Sequence, residues 1–464
     1  MDIIARLKAV SPNLLTGAET LAYGRDWIGK HVTTPLAVLR PATTAEVAAI
    51  LALCNETGTP VVPMGGNTGL TGATAAEGAV ILSLERMNRI RDIRPEARLA
   101  VVEAGVILQD LHEASARHGL RYPMSFGAQG SARIGGTLAT NAGGSNVLRY
   151  GNTRDLCLGL EVVLADGRVL DLMSALHKDN SGYDLRDLMI GSEGTLGVIT
   201  AAVLKLVPAP RAHATAMVTV PGLSAALRLL NALQERTGGM VEAFEYMPRD
   251  YMARLARVRP DLTPPLGHDH DHTIFLEIAS SVPRDCKADE DGRVPLAHHL
   301  EDTLGALFEE GLVSDAALAQ SEAQRAQMWA IREAAAEIST AETPVVINDL
   351  CLPLDRVEDF LDRAATALRR LDPGFSTCVV AHLGDGNIHY TVTPSDAALC
   401  DAVMDTVEDI VADMGGSFSA EHGIGLAKLP SMRRRKDPVA LEMMRAVKAA
   451  FDPKGVLNPG KTLP

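Results

Sequence analysis

The sequence predicts an α+β fold of two or more domains. A chain of 464 residues is too long for one hydrophobic core, and its 47% apolar and 22% charged residues are ordinary for a folded protein. Residues 36–210 alternate short β-prone runs and helical stretches with glycine-rich loops, and a second pattern of strands and helices starts at about residue 211. The predicted domains are 1–210, with a core at about 35–210, then 211–415, and a mainly helical C-terminal segment at 416–464.

Charge and composition argue against several classes of protein. A formal net charge of −14 opposes binding to nucleic-acid phosphates, so no nucleic-acid partner is expected. The six cysteines form no CxxC pair, which is typical of a reduced cytosolic protein. No run of about 18 apolar residues occurs, and the N-terminal MDIIARLKAV lacks the apolar centre of a secretory signal. We therefore expect a cytoplasmic protein.

The glycine-rich segments PMGGNTGL (63–70) and GSARIGGTLATNAGG (130–144) have the composition of an anion cradle. Glycine permits positive φ angles and a close approach of backbone N–H groups to a pyrophosphate. Neither segment matches GxGxxG, which disfavours a nicotinamide-binding Rossmann site. From glycine content alone, purely structural turns are an equally good interpretation.

The segment GVLNPGKT (455–462) matches the P-loop pattern formally. That mechanism needs a helix after the Lys-Thr pair, but only Leu463 and Pro464 follow it here. We therefore expect a tail that docks elsewhere on the protein.

The segment VVAHLGDGNIHYTV (379–392) predicts a hairpin that brings two imidazoles together. Asp-Gly is a strong turn signal, and a two-residue turn would place His382 directly opposite His389, with Cβ atoms about 4.5–5.5 Å apart. The segment SAEHGIG (419–425) adds Glu421 and His422. Two histidines and a carboxylate suit an open metal site with a spare base, although satisfied core residues remain an alternative.

A second histidine-rich run, HDHDH at 268–272, lies in a loop flanked by proline and glycine. Such a loop offers no rigid scaffold for a metal. We interpret it as a solvated loop.

The ordered set of motifs resembles one flavoprotein family. The motifs are PMGGNTGLTG, GSARIGGTLATNAGG, VLRYG, GLEVVLADG, KDNSGYDL, IGSEGTLGVIT, HLGDGNIH, AEHGIG and NPGK. In this order they are similar to the FAD-dependent D-2-hydroxyacid dehydrogenases of the vanillyl-alcohol oxidase and p-cresol methylhydroxylase superfamily. The likeness runs from about residue 35 to the end and includes D-2-hydroxyglutarate dehydrogenases, D-lactate dehydrogenases and the glycolate oxidase flavin subunit.

The resemblance implies an FAD-binding domain of two α/β subdomains, an antiparallel-sheet substrate domain and a C-terminal helical segment that returns to the flavin. Non-covalent FAD is expected, because the loops carry no His or Cys at the usual attachment points. The residues implied in cofactor binding are Pro63, Met64, Gly65, Gly66, Asn67, Thr68, Gly69, Leu70, Ser131, Gly135, Gly136, Thr140, Gly143, Gly144, Ile199 and Asn458.

The same resemblance assigns roles in the second half of the chain. His382, His389 and Glu421 match the family's ligands for a divalent metal, zinc or manganese, and His422 matches its general base. Arg332 matches the arginine that binds the substrate carboxylate. The implied reaction is oxidation of a D-2-hydroxyacid to the 2-oxoacid, with hydride transfer to flavin N5.

Three positions depart from the hydroxyglutarate pattern. Ala336 replaces a threonine, Ile347 replaces a lysine, and Thr391 replaces an asparagine on the substrate side. Without the lysine charge and the threonine hydrogen-bond donor, the site would bind a distal substrate carboxylate less tightly. A smaller or more apolar acid such as D-lactate is therefore favoured over D-2-hydroxyglutarate.

The expected partners are the D-2-hydroxyacid and an electron acceptor such as an electron-transfer flavoprotein or a quinone, in a homodimer. Two rival functions are a catalytically silent flavoprotein subunit and a metal hydrolase with merely structural glycine loops.

Overall fold

The computed structural model of the protein describes residues 3–288, 290 and 294–464. The chain forms two compact units. The first is drawn from Met1–Gly143, Tyr150–Ala209 and Glu421–Pro464, and the second from Gly144–Arg149 and Pro210–Ala420. The chain after Ala420 thus folds with its N-terminal part. Among the helices of the described residues, none has both the length and the apolar character needed to cross a membrane.

A four-stranded mixed sheet begins the first unit. Its strands are β1 (Leu14–Leu15), β2 (Ala37–Leu39), β3 (Val61–Met64) and β4 (Val80–Ser83), and its helices are α1 (Ile3–Val10) and α2 (Thr44–Thr57). The strand order is β1-β2-β4-β3, with β2, β4 and β3 parallel. Helix α2 begins where the Thr43 side chain accepts the N–H of Glu46, and it ends at Gly58 in the left-handed conformation.

An antiparallel sheet forms the second layer of the same unit. The elements that follow β4 are β5 (Ile90–Arg94), β6 (Leu99–Glu103), α3 (Leu108–Ala116), β7 (Leu120–Arg121), α4 (Ile134–Thr140), α5 (Val147–Tyr150), β8 (Cys157–Val163), β9 (Val169–Leu172), α6 (Leu185–Met189), β10 (Val198–Lys205) and β11 (Val207–Pro208). The sheet order is β5-β6-β10-β8-β9, and β7 pairs with β11. Buried apolar side chains from both sheets and from α2 form one core.

A seven-stranded antiparallel sheet organises the second unit, in the order β15-β12-β14-β13-β17-β18-β16. Its elements are β12 (Ala212–Thr219), α7 (Leu223–Thr237), β13 (Val241–Pro248), α8 (Arg249–Val258), β14 (His272–Ser280), α9 (Pro295–Glu309), β15 (Asp315–Leu318), α10 (Glu322–Glu333), α11 (Ala335–Ser339), β16 (Val346–Cys351), α12 (Val357–Leu371), β17 (Ser376–His382), β18 (Asn387–Thr393) and α13 (Cys400–Asp413). The predicted α+β class with an antiparallel second sheet is confirmed.

Helices cover both faces of this sheet, so alternate residues of a strand are buried in different cores. In β13, Phe244 and Tyr246 pack with side chains of α7, α9, α12 and α13. Ala243 and Met247 face the other way and pack with α8, α10 and α11. Glu245 lies between Ala243 and Met247 in the alternation, so its carboxylate points toward the α10 side of the sheet.

The histidine hairpin has a longer turn than the sequence predicted. Strand β17 ends at His382 and β18 begins at Asn387, and these two residues pair with each other. His389 pairs with Val380. The predicted pairing of His382 directly with His389 is therefore wrong by two residues.

Local hydrogen bonds explain the wider turn. The carbonyl of His382 accepts the N–H groups of both Asp385 and Gly386 at 3.2 Å, and Oδ1 of Asp385 accepts the N–H of Asn387 at 3.1 Å. A shift of two residues leaves every side chain on its original face of the sheet. His382 and His389 therefore still share a face, as diagonal neighbours with ring centroids 5.3 Å apart.

The C-terminal tail extends the first sheet of the first unit. After α14 (Leu429–Arg435) and α15 (Pro438–Phe451), Leu457 forms a parallel bridge with Val61 of β3. The carboxylate of Asp452 accepts the N–H groups of Val456 and Leu457 at 3.0 and 2.8 Å. No helix follows Phe451 in the described residues, as the interpretation of GVLNPGKT as a docking tail requires.

Candidate active site

The two predicted cradle segments pack against each other in the first unit. A Cβ built on Gly65 would lie 3.3 Å from the Cα of Gly136, and one on Gly66 would lie only 2.1 Å from the carbonyl oxygen of Ser131. A side chain at Gly66 would thus collide with backbone, so this position requires glycine. The two segments therefore form a surface of exposed main chain without side chains, which a bulky anion can approach closely.

Most of the other predicted cofactor residues lie within these two segments, and Ile199 lies on a strand of the same unit. Pro63 and Met64 end β3, Thr140 ends α4 and donates to the carbonyl of Gly136, and Ile199 is buried on β10. Asn67 has φ of +54°, and its side chain bonds the carbonyl of Arg25 and the hydroxyl of Thr74. The Asn67 side chain therefore holds the loop in place.

Asn458 of the tail carries the clearest sign of a ligand. Its Nδ2 donates to the carbonyls of Glu193 and Ala73 at 2.8 and 3.2 Å. Its Oδ1 is buried and has no hydrogen-bond partner in the described part of the chain. Burying an unsatisfied acceptor costs about 1–3 kcal/mol, so this atom suits a polar group of a bound cofactor.

Glu193 holds the segment that carries His422, and the sequence analysis missed it. It is 7% exposed, and its carboxylate accepts the N–H groups of Ile424 and Gly425 at 2.9 and 2.8 Å. Burial raises the pKa of this carboxyl, although both N–H donors favour its ionised form. The hydroxyl of Thr71, next to the cradle loop, donates to the carbonyl of His422 at 3.3 Å. Within the first unit, His422 is thus fixed beside the cradle.

A buried ionic cluster lies on one sheet face of the second unit. One carboxylate oxygen of Glu245 accepts a hydrogen bond from Nε of Arg332 at 2.6 Å. The other oxygen accepts a hydrogen bond from Nδ1 of His382 at 2.9 Å. Nη2 of Arg332 lies 3.2 Å from Nε2 of His382. Burial alone would raise the pKa of Glu245, but the charge of Arg332 and the hydrogen bonds from His382 and Arg332 outweigh it and hold the pKa well below its usual range.

His389 lies beside this cluster and next to a second carboxylate. Its Nδ1 is 3.7 Å from Oδ1 of Asp349, which also accepts Nδ2 of Asn387 at 2.9 Å. His382 and His389 each offer a ring nitrogen within 4.8 Å of the other. The structure therefore gathers the two predicted metal histidines, with a spacing that one cation can bridge.

Of the three positions that depart from the hydroxyglutarate pattern, Thr391 and Ile347 lie on this sheet face. Thr391 is two residues beyond His389 and pairs with Ile347 and Cys378, whereas Ala336 is exposed on α11, one turn after Arg332. The run at 268–272 contributes no side chain to any group of three metal-ligand residues in the described chain. Its His272 instead bonds the hydroxyl of Tyr246 at 3.0 Å.

Ala420, the residue that precedes Glu421, is bound to the second unit. The N–H of Ala420 donates to the carbonyl of Asp349 at 3.2 Å, and Asp349 pairs with His389 in the sheet. Glu421 follows directly, so its Cα lies about 3.8 Å from that of Ala420. Sequence reasoning missed Asp349 and Glu245, whose only signal is an acidic residue inside a strand of otherwise buried residues, VINDLC or VEAFEYMP.

Two family models match the chain. The model described as "FAD binding domain" matches residues 35–173, and that described as "FAD linked oxidases, C-terminal domain" matches residues 209–462. The second match alone spans more than half of the chain. Together with the glycine cradle and the orphaned acceptor of Asn458, the matches define an FAD-dependent oxidoreductase, and the chain belongs to the FAD-linked oxidase family.

Curated relatives indicate which members of this family the chain resembles. The chain is 39% identical to "D-2-hydroxyglutarate dehydrogenase, mitochondrial" of Bos taurus, over all of this chain and 84% of the relative. It is 37% identical to a D-2-hydroxyglutarate dehydrogenase of Xanthomonas citri pv. viticola, over 95% and 91% of the two chains. It is 35% identical to one of Stutzerimonas stutzeri, over 97% and 95%. The predicted resemblance to the flavin-dependent D-2-hydroxyacid dehydrogenases is confirmed.

Solved structures share the fold. p-Cresol methylhydroxylase, solved with substrate bound, matches with a TM-score of 0.76 at 16% identity, over 99% of this chain and 96% of that one. An alkyldihydroxyacetonephosphate synthase matches with a TM-score of 0.72 at 17% identity, over 99% and 84%. At this identity the likeness concerns the fold alone.

We predict that Gly66→Ala destabilises the FAD-free protein by about 1–3 kcal/mol, because the new methyl group has to displace the Ser131 carbonyl. Gly69→Ala is the matched control in the same loop, since a Cβ at Gly69 meets no atom within 4 Å. Its expected effect is within about 0.5 kcal/mol. Urea unfolding of both apoproteins checks this, and equal midpoints for the two variants would contradict the described packing.

Proposed function

We propose that the protein oxidises a D-2-hydroxyacid to the 2-oxoacid with FAD and one divalent cation, zinc or manganese. The observation that carries the proposal is the meeting of His382, His389 and Arg332 on one buried sheet face. A cation site and a carboxylate-binding arginine at one place suit a substrate with adjacent hydroxyl and carboxylate groups.

His382, His389 and Glu421 would hold the cation. Glu245 is ionised and can only accept hydrogen bonds, so the Nδ1 of His382 near it carries the hydrogen and Nε2 keeps its lone pair. Two imidazoles and one carboxylate leave coordination positions open for substrate. When bound, the cation would polarise the substrate hydroxyl and lower its pKa, and FAD would accept the hydride from C2 at flavin N5.

His422 would act as the general base. A neutral imidazole takes the hydroxyl proton as the carbon–hydrogen bond breaks. The support is positional: His422 follows Glu421 directly, and its carbonyl is bound by Thr71 beside the cradle loop. Glu193 keeps the following residues in place through two backbone N–H groups.

Arg332 would bind the substrate carboxylate. The planar guanidinium matches a carboxylate in two-point hydrogen bonding. Glu245 holds the Nε edge of this group, and the Arg332 side chain is 11% exposed. Thr391, on the same sheet face, would contact the rest of the acid.

The side chain of the D-2-hydroxyacid substrate is a second part of the proposal. The relatives are named for D-2-hydroxyglutarate, which has a second carboxylate. Here Ala336 and Ile347 stand where the resemblance expects a threonine and a lysine, so one positive charge is lost. We therefore propose a shorter or more apolar acid such as D-lactate. The reduced flavin would pass its electrons to an electron-transfer flavoprotein or a quinone.

We predict that D-2-hydroxyacids, and not their L enantiomers, bleach the FAD absorbance of the protein under anaerobic conditions. His422→Ala should keep FAD and metal but slow the bleaching by about 10²–10⁴-fold, the usual contribution of a general base. Stopped-flow absorbance measures the rate.

His177→Ala, in an exposed loop, is the control for loss of a histidine and should bleach at the parent rate. If the rate of His422→Ala stays within about tenfold of the parent, the base assignment is wrong. If no D-2-hydroxyacid bleaches the parent, the proposed function is wrong.

The double substitution Ala336→Thr and Ile347→Lys should raise kcat/KM for D-2-hydroxyglutarate relative to D-lactate by about tenfold or more. A new charge-assisted hydrogen bond to the distal carboxylate contributes about 1.5–3 kcal/mol, and 1.36 kcal/mol is tenfold in rate. Ile347→Met, which restores no charge, should leave the ratio unchanged. A parent enzyme that already prefers D-2-hydroxyglutarate, or a ratio that does not move in the double variant, would contradict the role given to these positions.

A further inference from the structure

Glu245 touches two residues with different roles in the proposed site. Its two carboxylate oxygens receive Nε of Arg332 at 2.6 Å and Nδ1 of His382 at 2.9 Å. The carboxylate is 1% exposed and lies on the central strand β13, where Glu245 pairs with His382 of β17. One rigid group therefore contacts both the arginine and the histidine.

The bond to His382 fixes the nitrogen that remains for a ligand. A carboxylate that accepts from one imidazole nitrogen sets the ring orientation and tautomer and makes the other nitrogen more basic. The bond to Arg332 leaves the Nη edge of the guanidinium directed away from the carboxylate. Nη2 now lies 3.3 and 3.2 Å from Nδ1 and Nε2 of His382, so a cation held at Nε2 would displace the contact with Nε2, while the Nε bond to Glu245 would keep the arginine in place.

We infer that Glu245 is a positioning residue that sets both the metal affinity of His382 and the carboxylate affinity of Arg332. The inference rests on the proposed roles of these two residues. It makes metal binding and substrate binding depend on a single side chain that contacts neither ligand.

The test is the zinc affinity of the FAD-loaded protein, measured by competition with a chromophoric chelator. Glu245→Gln keeps the shape of the side chain but loses its charge and one acceptor. The expected result is zinc binding about 10–100-fold weaker than in the parent, the usual effect of removing the carboxylate behind a metal-binding histidine. At saturating zinc, KM for the D-2-hydroxyacid should rise more than kcat falls.

Glu277→Gln is the matched control. Glu277 is 2% exposed on the neighbouring strand β14 and binds Arg325 through both oxygens at 2.7 and 2.8 Å, together with Trp329 and Thr215. Its loss perturbs a partly buried arginine of α10 that binds the same sheet, without touching a histidine of the site. Both variants should melt at lower temperature, but Glu277→Gln should keep the zinc affinity of the parent.

Unchanged zinc affinity in folded Glu245→Gln, with zinc bound by the parent, would overturn the inference and leave the proposed function standing. Failure of the parent to bind zinc or manganese would instead overturn the proposed metal site, and this inference with it. These two failures are therefore distinguishable.

If Glu245→Gln does not fold, the double variant Glu245→Gln with Arg332→Met replaces it, because it leaves no unpaired buried guanidinium. Its reference is Arg332→Met alone, in which Glu245 still orients His382. The same 10–100-fold loss of zinc affinity is expected between these two variants, and equal affinities would overturn the inference.

Discussion

The pairing of buried charges on one sheet face is the constraint on which the candidate site in the second unit depends. Glu245, Arg332 and His382 lie at 1%, 9% and 7% exposure next to a core of methionine, phenylalanine and isoleucine side chains. Removing one member of a buried ion pair typically costs about 3–5 kcal/mol, because the remaining charge has no water. The cluster is thus held in one geometry by its own electrostatics. A site that binds a cation and an anion benefits from such a preorganised set of charges.

The candidate cofactor cradle of the first unit is built from main chain and not from buried charges. The main chain of this cradle approaches closely only because Gly65 and Gly66 lack side chains. Polar contacts at its edge come from Asn458 on the tail and from Glu193, which binds the backbone after His422. The proposed base therefore lies on a segment that is tethered through its carbonyl and the N–H groups that follow it.

Much of this organisation was predictable from the sequence, and the failures have physical reasons. The glycine segments and the shared face of the two hairpin histidines follow from local signals, namely turn residues and the alternation of side chains along a strand. The hairpin register was wrong because Asp385 caps Asn387 within a wider turn, an interaction that the Asp-Gly signal alone does not indicate. The prediction that His382 and His389 share a face of the sheet was still correct, since a shift of two residues preserves the alternation of side chains along a strand.

Glu245, Asp349 and Glu193 were not found, because nothing in their spacing marks them. A carboxylate within a buried strand indicates that a partner exists, but the identity of the partner is a tertiary fact. Arg332 is 87 residues from Glu245, and Ile424 is 231 residues from Glu193. The predicted arginine and histidines were recognised singly, whereas the carboxylates that connect them required the fold.

The most direct measurement is the rate at which a D-2-hydroxyacid reduces the bound FAD anaerobically in protein stripped of metal and then reloaded. We expect the rate to collapse when a chelator has removed the cation while FAD stays bound, and to return when zinc or manganese is added. An unchanged rate in protein shown by elemental analysis to be free of metal would contradict a metal-dependent oxidation at His382, His389 and Glu421.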